Sequence, residues 1–587
     1  MSVFRPTRPS RKQRHARPAL QTLETRETPA TLMSPTTVTY QDTDGDNVTV
    51  RFSKPVLTAA NVNTVFHFNV DGVFGNSLAK QQLWEIDLAA LGNAAQGTAA
   101  SVLAARSLVH GGNGMANVGH VDATGIDLGS VVVDGDLGRI NVGDANTTTR
   151  SLASLTVQSM GRFGTTTQAP GGDLESDIKG ATGSITVKSD FNGARISTNN
   201  GGHVATIAIG GSIIGGALVG SGLFSVYGNI GSVTVKGNFI GGTSSSSGEI
   251  LCLGKIGSLT VGGSLIGGSD VTGGVQSQYG IGTVKIAGDL VGGTGTMSGQ
   301  IYAWAPGATI GSVTIGGSVI GGTNQLSGSI YSSTNIGPVT VSGGLHGGTG
   351  TKSGSIESVT GNLGPIVIRG SVIGGSGQAS GSIKSAHKIA GITIGGSIST
   401  GGNAGSGQVL ALGNIGPILV KGSLAGTAAA PAVISAGALS TPVGTSAVAI
   451  KSLTVLGHVE HSRILAGYNG GTAVNGDAQI GAVVVAGDWI ASNIVAGSTA
   501  GADLKFGTPD DLLINNPQND PAITASIGSI VIKGQVLGTP LAGDSFGFVA
   551  QRIGSVAVGG SPVTLTPGAS KDYVVLGPFA DLRINEV

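Results

Sequence analysis

Ile230-Gly231-Ser232-Val233-Thr234-Val235-Lys236-Gly237-Asn238-Phe239-Ile240-Gly241-Gly242 decides the fold, because this phrase returns about every 26 residues. It recurs as Ile256-Gly257-Ser258-Leu259-Thr260-Val261, Ile310-Gly311-Ser312-Val313-Thr314-Ile315, Ile336-Gly337-Pro338-Val339-Thr340-Val341 and Ile415-Gly416-Pro417-Ile418-Leu419-Val420. Such self-similarity marks a solenoid, in which a single unit cannot bury its apolar face except by stacking on copies of itself. Taking the Ile-Gly pair as origin, frames begin at 128, 152, 182, 204, 230, 256, 281, 310, 336, 363, 389, 415, 450, 480, 527 and 553. Spacing is tightest, 25 to 29 residues, between 204 and 415.

Within a frame the apolar residues alternate, as Val233 and Val235 do around Thr234, and period two is a strand signal. Three inward columns emerge. The first runs Ile207, Val233, Leu259, Val284, Val313, Val339, Ile366, Ile392 and Ile418, and the second runs Ile213, Phe239, Leu265, Leu290, Val319, Leu345, Val372, Ile398 and Leu424. The third lies in a recurrent Ser-Gly-x-Ile phrase, as at Ser298-Gly299-Gln300-Ile301 and Ser327-Gly328-Ser329-Ile330. Three short strands per turn, parted by glycine corners, predict an all-β parallel β-helix of about 16 coils and about 75 Å in length. The 104 glycines supply corners that need positive φ or close backbone approach.

Length and composition set the outer bounds. A chain of 587 residues need not form several domains, since each coil touches only its neighbours. The expected division is a disordered basic leader over 1–32, an N-terminal β-rich cap over 33–127, the repeat domain over 128–560 and a C-terminal cap over 561–587. Caps are needed because a bare terminal coil exposes strand edges and an open core. Net charge is zero and charged residues are 11%, which argues against a steering field over the whole rod. The single cysteine, Cys252, excludes an internal disulfide and is expected to be a buried thiol. No apolar run reaches the length of a membrane helix. Arg5, Arg8, Arg11, Lys12, Arg14 and Arg17 precede the first acid, Glu24, with no apolar segment behind them. That is not an ordinary signal peptide, and no nucleic-acid-reading fold follows it.

The chain has further phrases of a recognisable kind. Leu23-Glu24-Thr25-Arg26-Glu27-Thr28-Pro29-Ala30 follows the basic leader, and Ala123-Thr124-Gly125-Ile126-Asp127-Leu128-Gly129, Gly135-Asp136-Leu137-Gly138 and Phe506-Gly507-Thr508-Pro509-Asp510-Asp511 lie downstream. In these the chain resembles the large repeat-bearing surface and extracellular proteins of planctomycete-type bacteria. The resemblance implies an exported protein, extracellular or at the cell surface, and implies no enzyme activity.

Parallel β-helices also host polysaccharide lyases and hydrolases, whose chemistry needs paired carboxylates or a cation with a base. Between 201 and 430 the only acids are Glu249, Asp270, Asp289 and Glu357, too far apart to pair. The first coils are richer: Asp122, Asp127, Asp134, Asp136 and Asp144, then the alternating Asp173, Glu175 and Asp177. Asp42-Thr43-Asp44-Gly45-Asp46 has the oxygen-rich start of a calcium loop, although Ser53 stands where a bidentate Glu is expected. Asp503, Asp510 and Asp511 gather in an insertion between frames 480 and 527. These two groups of aspartates are the weak Ca²⁺ candidates. The nine histidines show no metal-ligand spacing and read as surface residues.

The reading is therefore a non-catalytic exported structural or adhesive solenoid, its Thr- and Ser-rich strand faces meeting cell-envelope or extracellular polysaccharide, or like molecules. No resident cofactor is expected. The alternative is a carbohydrate-active β-helix enzyme working through the acids of the first coils.

Overall fold

The computed structural model describes residues 30–69, 80–144, 146, 148–199, 201–403, 405–438, 447–516, 519–541, 543–566 and 571–587. The basic leader and all but the last residue of the Leu23–Ala30 phrase lie outside the described residues. The chain winds into a parallel β-solenoid of about 17 turns.

Each turn contributes one strand to each of three sheets, and the predicted columns are the ladders of those sheets. In the first, Val313 pairs with Val339 and Val339 with Ile366. In the second, Val319 pairs with Leu345 and Leu345 with Val372. In the third, Ile301 pairs with Ile330 and Ile330 with Ile356. Every inward residue named here is buried, whereas Thr234, Thr260 and Thr314 between the inward positions are exposed. The aliphatic stacks join into one continuous core, which supplies the hydrophobic free energy that a single coil lacks. Cys252 is a buried free thiol within it.

The corners are built from two kinds of glycine. Gly348 has no need of positive φ; a Cβ there would lie 2.1 Å from the carbonyl oxygen of Gly322 in the preceding coil, so the two backbones rest directly on each other. Gly354 is the other kind, with φ +60 and a would-be Cβ 2.0 Å from the His346 carbonyl oxygen. Between them a buried serine organises the turn. Ser353 Oγ accepts the Gly348 amide at 3.0 Å and donates to the Gly350 carbonyl at 2.8 Å. Ser327 and Ser380 repeat the pattern on Gly322 and Asn324, and on Gly375 and Gly377. The Ser-Gly-x-Ile phrase thus marks a corner whose backbone groups are satisfied by a hydroxyl.

The residue before each serine is held left-handed even though it is not glycine: φ is 58 at Leu326, 56 at Lys352 and 53 at Ala379. This conformation costs an L-residue roughly 1–2 kcal/mol. Ala379→Gly relieves it, less the entropy a new glycine gains in the unfolded chain. The expected result is a net stabilisation of about 0.5 kcal/mol, read as a small rise in denaturation midpoint; a fall would mean that the corner carries no such strain.

At the N-terminus, strands Thr31–Ser34, Thr37–Gln41, Asn47–Phe52 and Thr98–Ala105 form an antiparallel meander. Its last strand also pairs in parallel with Leu128–Gly143, and Leu83–Asp87 pairs in parallel with Val118–Thr124. Parallel stacking therefore reaches back into the segment expected to be cap alone. At the other end, Leu582–Glu586 closes the third sheet in parallel on Phe546–Ala550 and carries Tyr573–Leu576 antiparallel on its outer edge. Two insertions, bearing the antiparallel pairs Tyr468–Asn469 with Thr472–Ala473 and Ser498–Thr499 with Leu512–Leu513, fold over the outside of the third sheet. They bury a second small core of Leu465, Tyr468, Val495, Ile514 and Val549. Among the described residues no helix is long and apolar enough to cross a membrane.

Candidate functional site

Among the described residues, both clusters of three side chains that could hold a metal ion lie at the N-terminal end. Parallel and antiparallel register brings His67, Glu85, His120 and Arg139 to successive strands of one ladder. His120 Nδ1 and Glu85 Oε1 are 2.7 Å apart, with the histidine side chain only 6% exposed. That hydrogen bond, more than any other influence, holds Glu85 below the usual carboxylate range. His120 Nε2 is buried without a hydrogen-bond partner among the described residues. Arg139 Nη1 bonds Asp173 Oδ2 at 2.6 Å. The insertion after strand Arg150–Met160 returns over this ladder, so that Trp84, Gln168, Pro170 and Gly172 complete a cleft around it. A wider cleft of about 580 Å³ shares Trp84 and Gln168 with it and is lined further by Asn69, Gln82, Asn117 and Phe163.

Sequence reading missed this site and placed its histidines at the surface, which holds for His67 but not for the buried His120. The correction has a plain cause: Glu85 and His120 are 35 residues apart, in a region without the repeat that would reveal register. The only sequence signal was the strand-like run Leu83-Trp84-Glu85-Ile86-Asp87. Asp122 stands two residues beyond His120, and ligand atoms of Glu85, His120 and Asp122 lie within 4.8 Å of one another.

The other acids of the first coils are each engaged separately. Asp134 meets Lys188 at 3.3 Å and Glu175 meets Arg195 at 3.6 Å. Asp136 is buried and accepts hydrogen bonds from Ser159 Oγ and from the Arg162 and Phe163 amides. Asp177 accepts from Asn199 Nδ2, and Asp144 caps the Asn146 amide. The alternation of Glu175 and Asp177 on one strand face is as the sequence indicates, but their charges are spent on different partners.

Of the two candidate calcium groups, one converges. Asp42, Asp44 and Asp46 present carboxylate oxygens within 4.8 Å of one another. Burial, with Asp44 beside it, pushes the Asp42 carboxyl up to about 7. Asp503, Asp510 and Asp511 form no such group among the described residues. Asp510 accepts from the Ala502 and Asp503 amides and from Thr508 Oγ1, which holds it below the ordinary carboxylate range. Asp511 accepts from the Gly507 and Thr508 amides and from Asn585 Nδ2, pinning the last strand; burial pushes it up to about 6.

Along the rod three of the four acids bond to neighbouring groups and the fourth is buried. Asp289 Oδ1 accepts the Ser318 amide and Asp270 Oδ1 the Thr296 amide, each in the next coil. Glu357 lies between Lys352, at 3.0 Å, and Lys384, at 3.3 Å. Glu249 is 1% exposed, and burial pushes its carboxyl up to about 8. Because that value is raised above the unfolded one, the associated stability is fully present below about pH 4.5 and is lost as pH rises to about 8. Glu249→Gln is expected to flatten this part of the pH–stability curve by an amount on the order of a few kcal/mol. Urea midpoints at pH 4.5 and 8.5 for both proteins measure it; parallel curves would exclude a buried, protonated Glu249.

Comparison with protein-family models, with curated proteins and with solved structures finds no match for the chain.

Proposed function

We propose that this chain is a non-catalytic structural or adhesive rod, exported to the cell surface or the extracellular space. The observation that carries the reading is the outer face of the first sheet. There Ser232, Ser258, Thr283 and Ser312 form one hydroxyl column, and Thr234, Thr260, Thr314 and Thr340 a second, interrupted by Lys285. Neighbouring rungs are about 4.8 Å apart, giving a flat, weakly charged surface suited to hydrogen bonding along an extended polysaccharide or a like molecule. Along the rod Asp270, Asp289 and Glu357 bond to the next coil from corners and from the third sheet, and the face itself offers hydroxyls for contact rather than paired acid–base chemistry.

Fractionation of native cells with an antibody to the chain tests the export, and cosedimentation with insoluble envelope polysaccharide tests the contact. Recovery in the envelope or medium, with retention weakened by Thr314→Asp combined with Thr340→Asp, is the expected result. Residence in the cytosol, or retention unchanged in that double variant, would overturn it. The second reading, a carbohydrate-active enzyme, is favoured by one observation: the Glu85–His120 pair beside Trp84 in an open cleft. Release of reducing sugar by the wild type and its loss in Glu85→Gln would establish that reading instead.

A further inference from the structure

We propose that the Asp42–Asp46 turn is a calcium site, liganded by the carboxylates of Asp42, Asp44 and Asp46 and by the side-chain oxygen of Gln41, and that the ion clips the N-terminal meander to the first parallel coils. Three carboxylate oxygens within 4.8 Å of one another match a common centre at the 2.3–2.6 Å typical of Ca²⁺–oxygen bonds.

Two independent observations point to a missing partner there. Gln41 is 2% exposed; its Nε2 donates to the Gly45 carbonyl at 3.3 Å inside the same turn, while its Oε1 is buried and has no hydrogen-bond partner among the described residues. Asp46 is fully buried, and among the described residues its Oδ1 is likewise unpartnered. Buried oxygens of this kind are satisfied in native proteins by water or an ion. Among the described residues no Lys, Arg or His forms an ion pair with any of the three acids. Three carboxylates brought this close repel one another unless a proton is shared or a cation sits between them, and a cation relieves all three at once. The donors are all hard oxygens, which selects calcium over zinc or copper.

The placement gives the ion a structural consequence. Asp46 Oδ2 accepts the backbone amides of Asn113, Gly114 and Met115 at 3.0, 2.6 and 3.1 Å. The turn between Thr37–Gln41 and Asn47–Phe52 is thereby tied to the chain that leads into Val118–Thr124, and an ion held by the same carboxylate fixes that tie. Its action is local, since the aliphatic stacks of the rod need no cation.

The test uses the full chain, stripped with EGTA and titrated with CaCl₂ in a calorimeter. One site is expected, with Kd about 10⁻⁴ to 10⁻³ M as in extracellular modules. Asp44→Asn is expected to weaken binding at least tenfold and Asp510→Asn to leave it unchanged. Asp46→Asn also loses the cap on three amides, so Asp44→Asn is the deciding variant. Calcium should slow proteolysis between residues 42 and 115 without altering the far-ultraviolet circular dichroism. Absence of a binding heat, wild-type affinity in Asp44→Asn, loss of binding in Asp510→Asn, or loss of strand signal on stripping would each overturn the proposal.

Discussion

Val341→Asp is expected to destabilise the rod by about 4–5 kcal/mol, while Thr340→Asp, one residue away, changes it by roughly 1 kcal/mol or less. Val341 is fully buried and pairs with Ile315 in one neighbouring coil and Ile368 in the other. A carboxylate there has no donor and no water; either it ionises at a large desolvation cost or it stays protonated and unsatisfied. Thr340 points the other way, between Thr314 and Val367, where a charge remains hydrated. Urea denaturation of both variants measures the contrast. Equal losses would mean that the strand faces are assigned the wrong way round.

Gly348→Val is the second large effect, about 3 kcal/mol or more, although it removes no contact. Its Cβ would sit 2.1 Å from the Gly322 oxygen and 2.7 Å from the Gly321 carbonyl carbon. These are backbone atoms, so relief requires the coils to part, which breaks the corner bond from Gly348 to Ser353 as well. Gly402→Ala is the matched control, since a Cβ there meets nothing within 4 Å among the described residues, and its effect is expected to stay within about 0.5 kcal/mol. Thermal or urea midpoints decide the matter; a tolerated Gly348→Val would show that coil spacing at this corner is not set by backbone contact.

The repeat made the rod readable because every coil restates the same facts. Val233, Leu259 and Val284 fall at equivalent offsets, so one alternation fixes the register of a whole sheet. The Ser-Gly-x-Ile phrase was legible as a strand marker, but the hydroxyl of Ser353 serves Gly348 and Gly350, and that role emerges only when the corner is seen closed. Neither the pairing of Glu85 with His120 nor the cover provided by Gln168 was legible, because single-copy segments give no second instance from which to infer register. Asp42, Asp44 and Asp46 were legible as a group because they alternate within five residues, and Asp503, Asp510 and Asp511 because they share one insertion. What separates the two groups is whether the carboxylate oxygens converge on one point, and spacing alone does not encode that.

The hydrogen bonds between coils run along the rod, as from Gly354 to Ser327 and from Gly381 to Ser353, and this orientation governs how the molecule bears load. Tension applied between its two ends pulls those bonds apart in series, so the weakest interface at an end opens first while the remaining stack stays wound. A coil of the length seen between Ile310 and Ile336 pays out about 90 Å of extended chain as it peels. The rod then behaves as a tether that lengthens in coil-sized increments and rewinds onto its own intact end when slack returns.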